Sequence, residues 1–236
     1  IDNLSSKMIF DETNQKRLET TKDFDEIIFD NVSFNYSNNK NNIFENLNYI
    51  FKKNNIIGIK GRSGKGKTTL LLLLLGLLKP NSGLIYINNK QNINIYSDWI
   101  NKFGYVSQET ILIDDTIRNN ILFGKFEKSF NREKYNSSIN YSLLTEIIKS
   151  KGENDIIDGK KNKLSSGQSQ RVHLARALYH SKDILILDEA TNNLDRDNEK
   201  KFLKNLDEIK KNKIVVFVTH SNYVLSFCDE IINLDN

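Results

Sequence analysis

The chain has 236 residues, 38% of them apolar, a net charge of +4 and a single cysteine, Cys228. The apolar fraction supports a sizeable core and excludes wholesale disorder, and a lone cysteine excludes an internal disulfide framework and fits a reducing compartment. Lys and Asn are spread along the whole sequence without a basic stripe, so the charge predicts no nucleic-acid partner.

Residues 1–26 are polar and mixed in charge and read as a linker. Strand chemistry begins at Ile27-Ile28-Phe29 and continues through Val32, Phe34 and Tyr36, which alternate. Asn-rich Ser37 to Asn42 predicts a loop, and Ile43 to Phe51 resumes the strands. Ile56-Ile57-Gly58-Ile59 is a short apolar strand that runs straight into a glycine-rich stretch. From Thr69 a Leu-rich helix follows, predicted to end around Lys79-Pro80-Asn81-Ser82-Gly83. Its apolar part, Leu70 to Leu78, is roughly half the length of a spanning helix and reads as a buried helix.

Leu84 to Ile87 and Phe103 to Val106 are further strands. From about 109 to 165 apolar strand runs give way to helix-like stretches such as Ser138 to Lys149, which predicts an inserted helical subdomain. A helix over Ser166 to Tyr179 precedes the strand Ile184 to Leu187, a helix over Asp197 to Lys210, the strand Ile214 to Val218, and a last helix and strand. Apolar strands alternating with helices imply an α/β fold, with a mostly parallel sheet covered on both faces and an antiparallel β part at the N-terminal side.

Two segments carry the chemistry. Gly61-Arg62-Ser63-Gly64-Lys65-Gly66-Lys67-Thr68 fits the phosphate-loop pattern G-x-x-x-x-G-K-[ST], and it sits between a strand and a helix as that pattern requires. Its glycines let the backbone wrap the phosphates, and the helix N-terminus that continues through Thr69 adds N–H donors and a dipole. Lys67 is placed to bridge the β and γ phosphates and the Thr68 hydroxyl to ligate Mg²⁺. Far along the chain, Ile184-Leu185-Ile186-Leu187-Asp188-Glu189 is an apolar run that ends in two acids. Asp188 reads as the metal-side carboxylate and Glu189 as the group that polarises a water for attack on the γ-phosphate. The expected ligands are therefore a nucleoside triphosphate and Mg²⁺.

With these two segments, the chain from Phe29 onward resembles the nucleotide-binding domain of ATP-binding cassette (ABC) transporters, which share the P-loop NTPase core. Val32-Ser33-Phe34-Asn35-Tyr36 is similar to the family's aromatic loop, which implies that Tyr36 stacks on adenine. Gln108 matches the glutamine loop, which implies a role beside Mg²⁺ and against a membrane domain. Leu164-Ser165-Ser166-Gly167-Gln168, followed by Gln170-Arg171, resembles the signature segment, and Leu194-Asp195 the loop after the catalytic acid. His220 resembles the switch histidine that holds the γ-phosphate. The resemblance implies that Ser165, Gly167, Gln168 and Asp195 of one domain serve the nucleotide bound to a second.

Three positions depart from the family pattern. Ser166 stands where a second glycine is usual, so a backbone with positive φ there would be strained. The loop Ile157 to Lys163 lacks the acidic residue common in exporters just before the signature, and Asn192-Asn193 replaces small residues. Asp114 to Ile121 is similar to what exporters carry after the glutamine loop. The chain opens at Ile1 without an initiator Met and stops at Asn236 directly after an apolar run, which predicts a domain of a longer protein. The resemblance therefore implies residues 27–236 as the nucleotide-binding domain of an exporter. It also implies a transmembrane domain in the same polypeptide, a second nucleotide-binding domain as partner, and a place on the cytoplasmic face of a membrane. The rival readings are a soluble cassette ATPase acting on ribosomes or in DNA repair, and a regulatory cassette that binds ATP without turnover.

Overall fold

A computed structural model describes residues 23–36, 42–88, 91–93, 98–124, 130–157 and 164–235. The expected linker before residue 23, most of the loop over 37–42 and most of the loop ahead of Leu164 lie outside the described residues.

The central layer is a parallel sheet in the order β11 (Glu230–Asn233), β3 (Ile56–Lys60), β10 (Ile214–Val218), β9 (Ile184–Asp188), β6 (Phe103–Val106). Strand β10 is buried along its whole length, and β3 and β9 are buried up to their last residue. That is why their sequences are continuous Ile, Leu and Val rather than alternating. Beside this sheet lies an antiparallel one, ordered β2 (Phe44–Lys52), β1 (Glu26–Phe34), β4 (Ser82–Ile87), β5 (Gln91–Asn92). Helix α1 (Lys67–Leu74) packs with both sheets in one core that includes Leu70, Leu73, Phe29, Phe51, Ile57 and Val216.

The opposite face of the parallel sheet is covered by α5 (Ser166–His180) and α6 (Arg196–Ile209), with Leu174, Ala177, Phe202 and Leu206 against Leu185 and Phe217. The other side of α5 packs on a helical cluster through Val172, Ala175 and Tyr179. That cluster holds α2 (Ile117–Leu122), α3 (Arg132–Tyr141) and α4 (Thr145–Lys151), plus a short antiparallel pair, β7 (Asp115–Thr116) and β8 (Ile156–Ile157). A short helix, α7 (Asn222–Leu225), leads into β11. Helix α5 is thus the beam between sheet and helical region. It meets the sheet so closely that a Cβ at Gly104 of β6 would lie 2.1 Å from the Ala177 carbonyl oxygen.

Two elements end earlier than the sequence predicts. Helix α1 stops at Leu74, not near Pro80, because Gly76 turns left-handed at φ 70° and the amides of Leu77 and Leu78 fold back on the Leu72 carbonyl. Trp99 then donates its indole N–H to the Leu74 carbonyl at 3.1 Å, closing the helix end. The stretch from Ser138 to Lys149 is two helices: α3 ends at Tyr141, Leu143 takes φ 61°, and α4 starts at Thr145.

Candidate active site

The strands of the parallel sheet deliver their loops to one end. Strand β3 opens into the phosphate loop, β6 into Gln108, β9 into Asp188 and Glu189, and β10 into His220. A cleft of about 680 Å³ opens there. Tyr36, Ser63, Gly64, Gly66, Lys67, Thr68, Thr69, Gln108, Asp188, Glu189 and His220 line it, joined by Ile43, Asn192, Val218 and Ser221. This is the end of a parallel sheet where ligands collect.

The phosphate loop needs its glycines for two reasons. Gly64 and Gly66 sit at φ 81° and 91°. A side chain at Gly66 would also strike Ile43, whose Cγ2 lies 2.6 Å from where a Cβ would stand. Gly66 caps α1 through its backbone only, so the first N–H groups of the helix face the cleft without a side-chain partner. Lys67 curls onto its own loop and donates to the carbonyls of Gly61 at 2.5 Å and Arg62 at 3.1 Å. Gly61 and Lys65 belong to the loop but do not line the cleft.

Asp188 ends β9 and accepts a hydrogen bond from the Tyr105 hydroxyl at 3.1 Å. Burial pushes the Asp188 carboxyl above the ordinary aspartate value; the Tyr105 hydrogen bond and the Lys67 charge oppose this, and Glu189 adds to it. Glu189 holds φ 51°, unusual for a residue with a side chain, and its amide donates to the Val218 carbonyl at 3.0 Å. Its carboxylate is 12% exposed and stands 3.8 Å from Nε2 of the open His220 ring. Thr68, Gln108 and Asp188 bring a hydroxyl, an amide and a carboxylate to the same space, oxygen donors that suit Mg²⁺ held jointly with phosphates.

Tyr36 lies just beyond the end of β1. It stacks edge-on against Phe34 at 5.1 Å between ring centroids, and its hydroxyl is 3.3 Å from Thr69 Oγ1.

The signature residues stand apart. Ser165, Gly167, Gln168 and Asp195 do not line the cleft. Ser165 caps α5 in a capping box, accepting from the Gln168 amide at 3.2 Å while the Gln168 side chain accepts from the Ser165 amide at 3.0 Å. Asp195 caps α6 by accepting from the Asn198 amide at 2.9 Å, without a reciprocal bond, and the hydrogen bonds from Asn198 hold its carboxyl below the ordinary range. Ser166 is the first residue of α5 and has no positive φ, so serine is not strained there. Gly167 is the restrictive position, since a Cβ on it would come within 2.8 Å of the Asn193 carbonyl oxygen.

Sequence reasoning missed Tyr105 and Ser221, and it quoted Asn192 and the buried Gln170 within family segments without giving either a place at the site. Tyr105 had a readable signal: it is the outward residue of a four-residue strand, three positions before Gln108.

Such a loop between a parallel strand and a helix, with two acids ending a neighbouring strand, defines a P-loop nucleotide-binding α/β domain. Residues 44–192 match the ABC transporter family, and the chain belongs to it. It is 35% identical over 219 residues to a Haemophilus influenzae protein named "Probable ABC transporter ATP-binding/permease protein", covering 91% of this chain and 39% of that one. With the alpha-hemolysin translocation ATP-binding protein HlyB of Escherichia coli O157:H7 it shares 36% identity over 214 residues, 89% of this chain and 30% of that protein. The fold superposes on a bacterial Atm1-family ABC exporter with ATP bound at a TM-score of 0.81 and 27% identity, covering 93% of this chain and 39% of that one. The chain thus spans about two-fifths of the length of such relatives. No helix among the described residues is long and apolar enough to cross a membrane.

Proposed function

We propose that this chain is the ATP-hydrolysing motor of a membrane exporter, with residues 27–236 as the nucleotide-binding domain and about 109–165 as its helical subdomain. The observation that carries the reading is the single cleft in which the phosphate loop, Gln108, Asp188, Glu189 and His220 converge from four strands.

Catalysis in this reading is positioning and electrostatics. Lys67 releases its loop carbonyls and turns to the β and γ phosphates, beside the free N–H groups that begin α1. Thr68, Gln108 and Asp188 would hold Mg²⁺, which when bound would neutralise phosphate charge. Glu189 takes the proton of the attacking water, and His220, 3.8 Å away, fixes the γ-phosphate. Tyr36 swings from Thr69 to stack on adenine. Ser165, Gly167, Gln168 and Asp195 serve the nucleotide of a second copy; their distance from the cleft of their own chain supports this division.

The relatives named as ATP-binding/permease proteins support a transmembrane domain in the same polypeptide, and in this reading the chain lies on the cytoplasmic face of a membrane. The test is phosphate release by the purified chain and by Lys67→Ala, alongside binding of a fluorescent ATP analogue. Turnover and binding in the wild type, both lost in the variant, are the expected results. A variant that binds the analogue as tightly as wild type overturns the site assignment.

A further inference from the structure

Gln170 is fully buried in the second turn of α5, yet every polar atom it carries is aimed at a loop of the cleft. Its Nε2 donates to the Ala190 carbonyl at 2.9 Å. Its Oε1 accepts from the Thr110 hydroxyl at 2.7 Å and, at 3.4 Å, from the Asn193 side-chain amide. The orientation of the amide is set by chemistry, because a backbone carbonyl can only accept and so must face the NH₂ group. One side chain therefore joins two loops: Thr110 lies two residues past Gln108, while Ala190 and Asn193 belong to the single loop that runs from Glu189 to Asp195.

The Ala190 contact matters because of what precedes it. Glu189 sits at φ 51°, a left-handed conformation that crowds the Cβ of a residue with a side chain against the following carbonyl oxygen. Such a backbone persists only where its surroundings over-determine it. The amide of Glu189 is tied to Val218 on one side, and the carbonyl of Ala190 is tied to Gln170 on the other. With that second tie gone the buried Ala190 carbonyl loses its side-chain partner, and the turn after Glu189 keeps only the 3.3 Å bond from the Asn192 amide to the Glu189 carbonyl.

We infer that Gln170 is a positioning residue for Glu189, and that through Thr110 it links the segment carrying Gln108 to the orientation of that acid. The inference rests on the role proposed above for Glu189. Movement of the Gln108 segment that withdraws the Thr110 hydroxyl leaves Gln170 Oε1 with the long Asn193 contact alone, and the side chain that holds the Ala190 carbonyl loosens. The link acts on the chemical step and not on nucleotide binding, since neither Thr110 nor Gln170 lines the cleft.

The test uses the purified chain with Thr110→Val, which keeps shape and removes one hydroxyl, and Gln170→Met, which keeps length and removes all three contacts. Thr110→Val is the milder change and carries the test alone should Gln170→Met fail to fold. We expect kcat to fall about 3- to 10-fold in Thr110→Val, the size of one lost hydrogen bond read at the transition state, and further in Gln170→Met. KM for ATP and binding of a fluorescent ATP analogue should stay within about twofold of wild type, the split that marks a transition-state effect. The decisive arm repeats each change in a Glu189→Gln background under single turnover with labelled ATP. A residue that acts through Glu189 has nothing left to position there, so the second substitution should add no further loss. The same multiplicative loss in both backgrounds overturns the link while leaving Glu189 in its role. A raised KM with kcat unchanged overturns it too. Undiminished hydrolysis in Glu189→Gln alone overturns both the link and the reading beneath it.

Discussion

Gly104→Ala tests how closely the signature helix rides on the sheet. The added Cβ would stand 2.1 Å from the Ala177 carbonyl oxygen, 2.8 Å from Ser181 Cβ and 2.9 Å from the Ala177 carbonyl carbon. Ordinary contact begins near 3.4 Å, so α5 and β6 must part by roughly an ångström. The obstacle is mostly backbone and no rotamer change relieves it. Overpacking of this kind costs about 1–3 kcal/mol, and a backbone obstacle puts the change at the upper end. At 2–4 °C per kcal/mol for a chain of this size, the melting temperature should fall by roughly 6–12 °C. The displaced elements are functional ones, since β6 leads to Gln108 and α5 begins at the signature. Hydrolysis measured well below the new transition should therefore be slower as well. Differential scanning calorimetry beside a phosphate-release assay reads both effects. A melting temperature within about 2 °C of wild type, with unchanged kcat, would refute the argument that this glycine sets the approach of helix to strand.

Tyr36→Ala should raise KM for ATP with a smaller change in kcat, because stacking on a base contributes roughly 1–3 kcal/mol; an unchanged KM would point to another ring, with Phe34 in contact as the first candidate. Asp188→Asn should stabilise the chain in the absence of nucleotide while abolishing turnover. Burial raises the folded-state value of Asp188 above its unfolded value, so its contribution to stability is fully present below about pH 4 and lost as pH rises through the folded value. Asn removes that ionisation at neutral pH, and thermal melts should show a higher melting temperature at pH 7, a gain that fades towards pH 4. A lower melting temperature at pH 7 would count against the burial argument.

The parts of the site that were legible in the sequence are those written as contiguous segments. A fully buried parallel strand must be apolar throughout, so β3, β9 and β10 announce themselves, and the chemistry follows directly at their ends. Helix ends were less legible. Leu75 to Leu78 continues the apolar run of α1, and only Gly76, adopting positive φ, marks the stop. The break at Leu143 has no composition signal at all, because a leucine in the left-handed region is set by packing around it and not by preference. Pairs across the fold were invisible for a different reason. Tyr105 meets Asp188 only because β6 and β9 run parallel in register, Tyr105 opposite Ile186. Thr110 meets Gln170 only because α5 crosses beneath the loop that follows β6. Ser166 begins a helix with ordinary backbone angles, so positive φ is not a reason for the family's glycine at that position.

The central claim is that Glu189 performs the chemistry on a nucleotide that a second copy of the chain completes. Glu189→Gln separates these parts, since Gln keeps size and hydrogen bonding but takes no proton, a loss worth about 10²- to 10⁴-fold in rate. The phosphate loop, Thr68 and Asp188 are untouched, so MgATP still binds and persists. Light scattering after size exclusion should then show the variant as a dimer with MgATP, and as a monomer with ADP or without Mg²⁺. Near-wild-type hydrolysis by the variant, or a monomer that holds MgATP without pairing, would contradict the account.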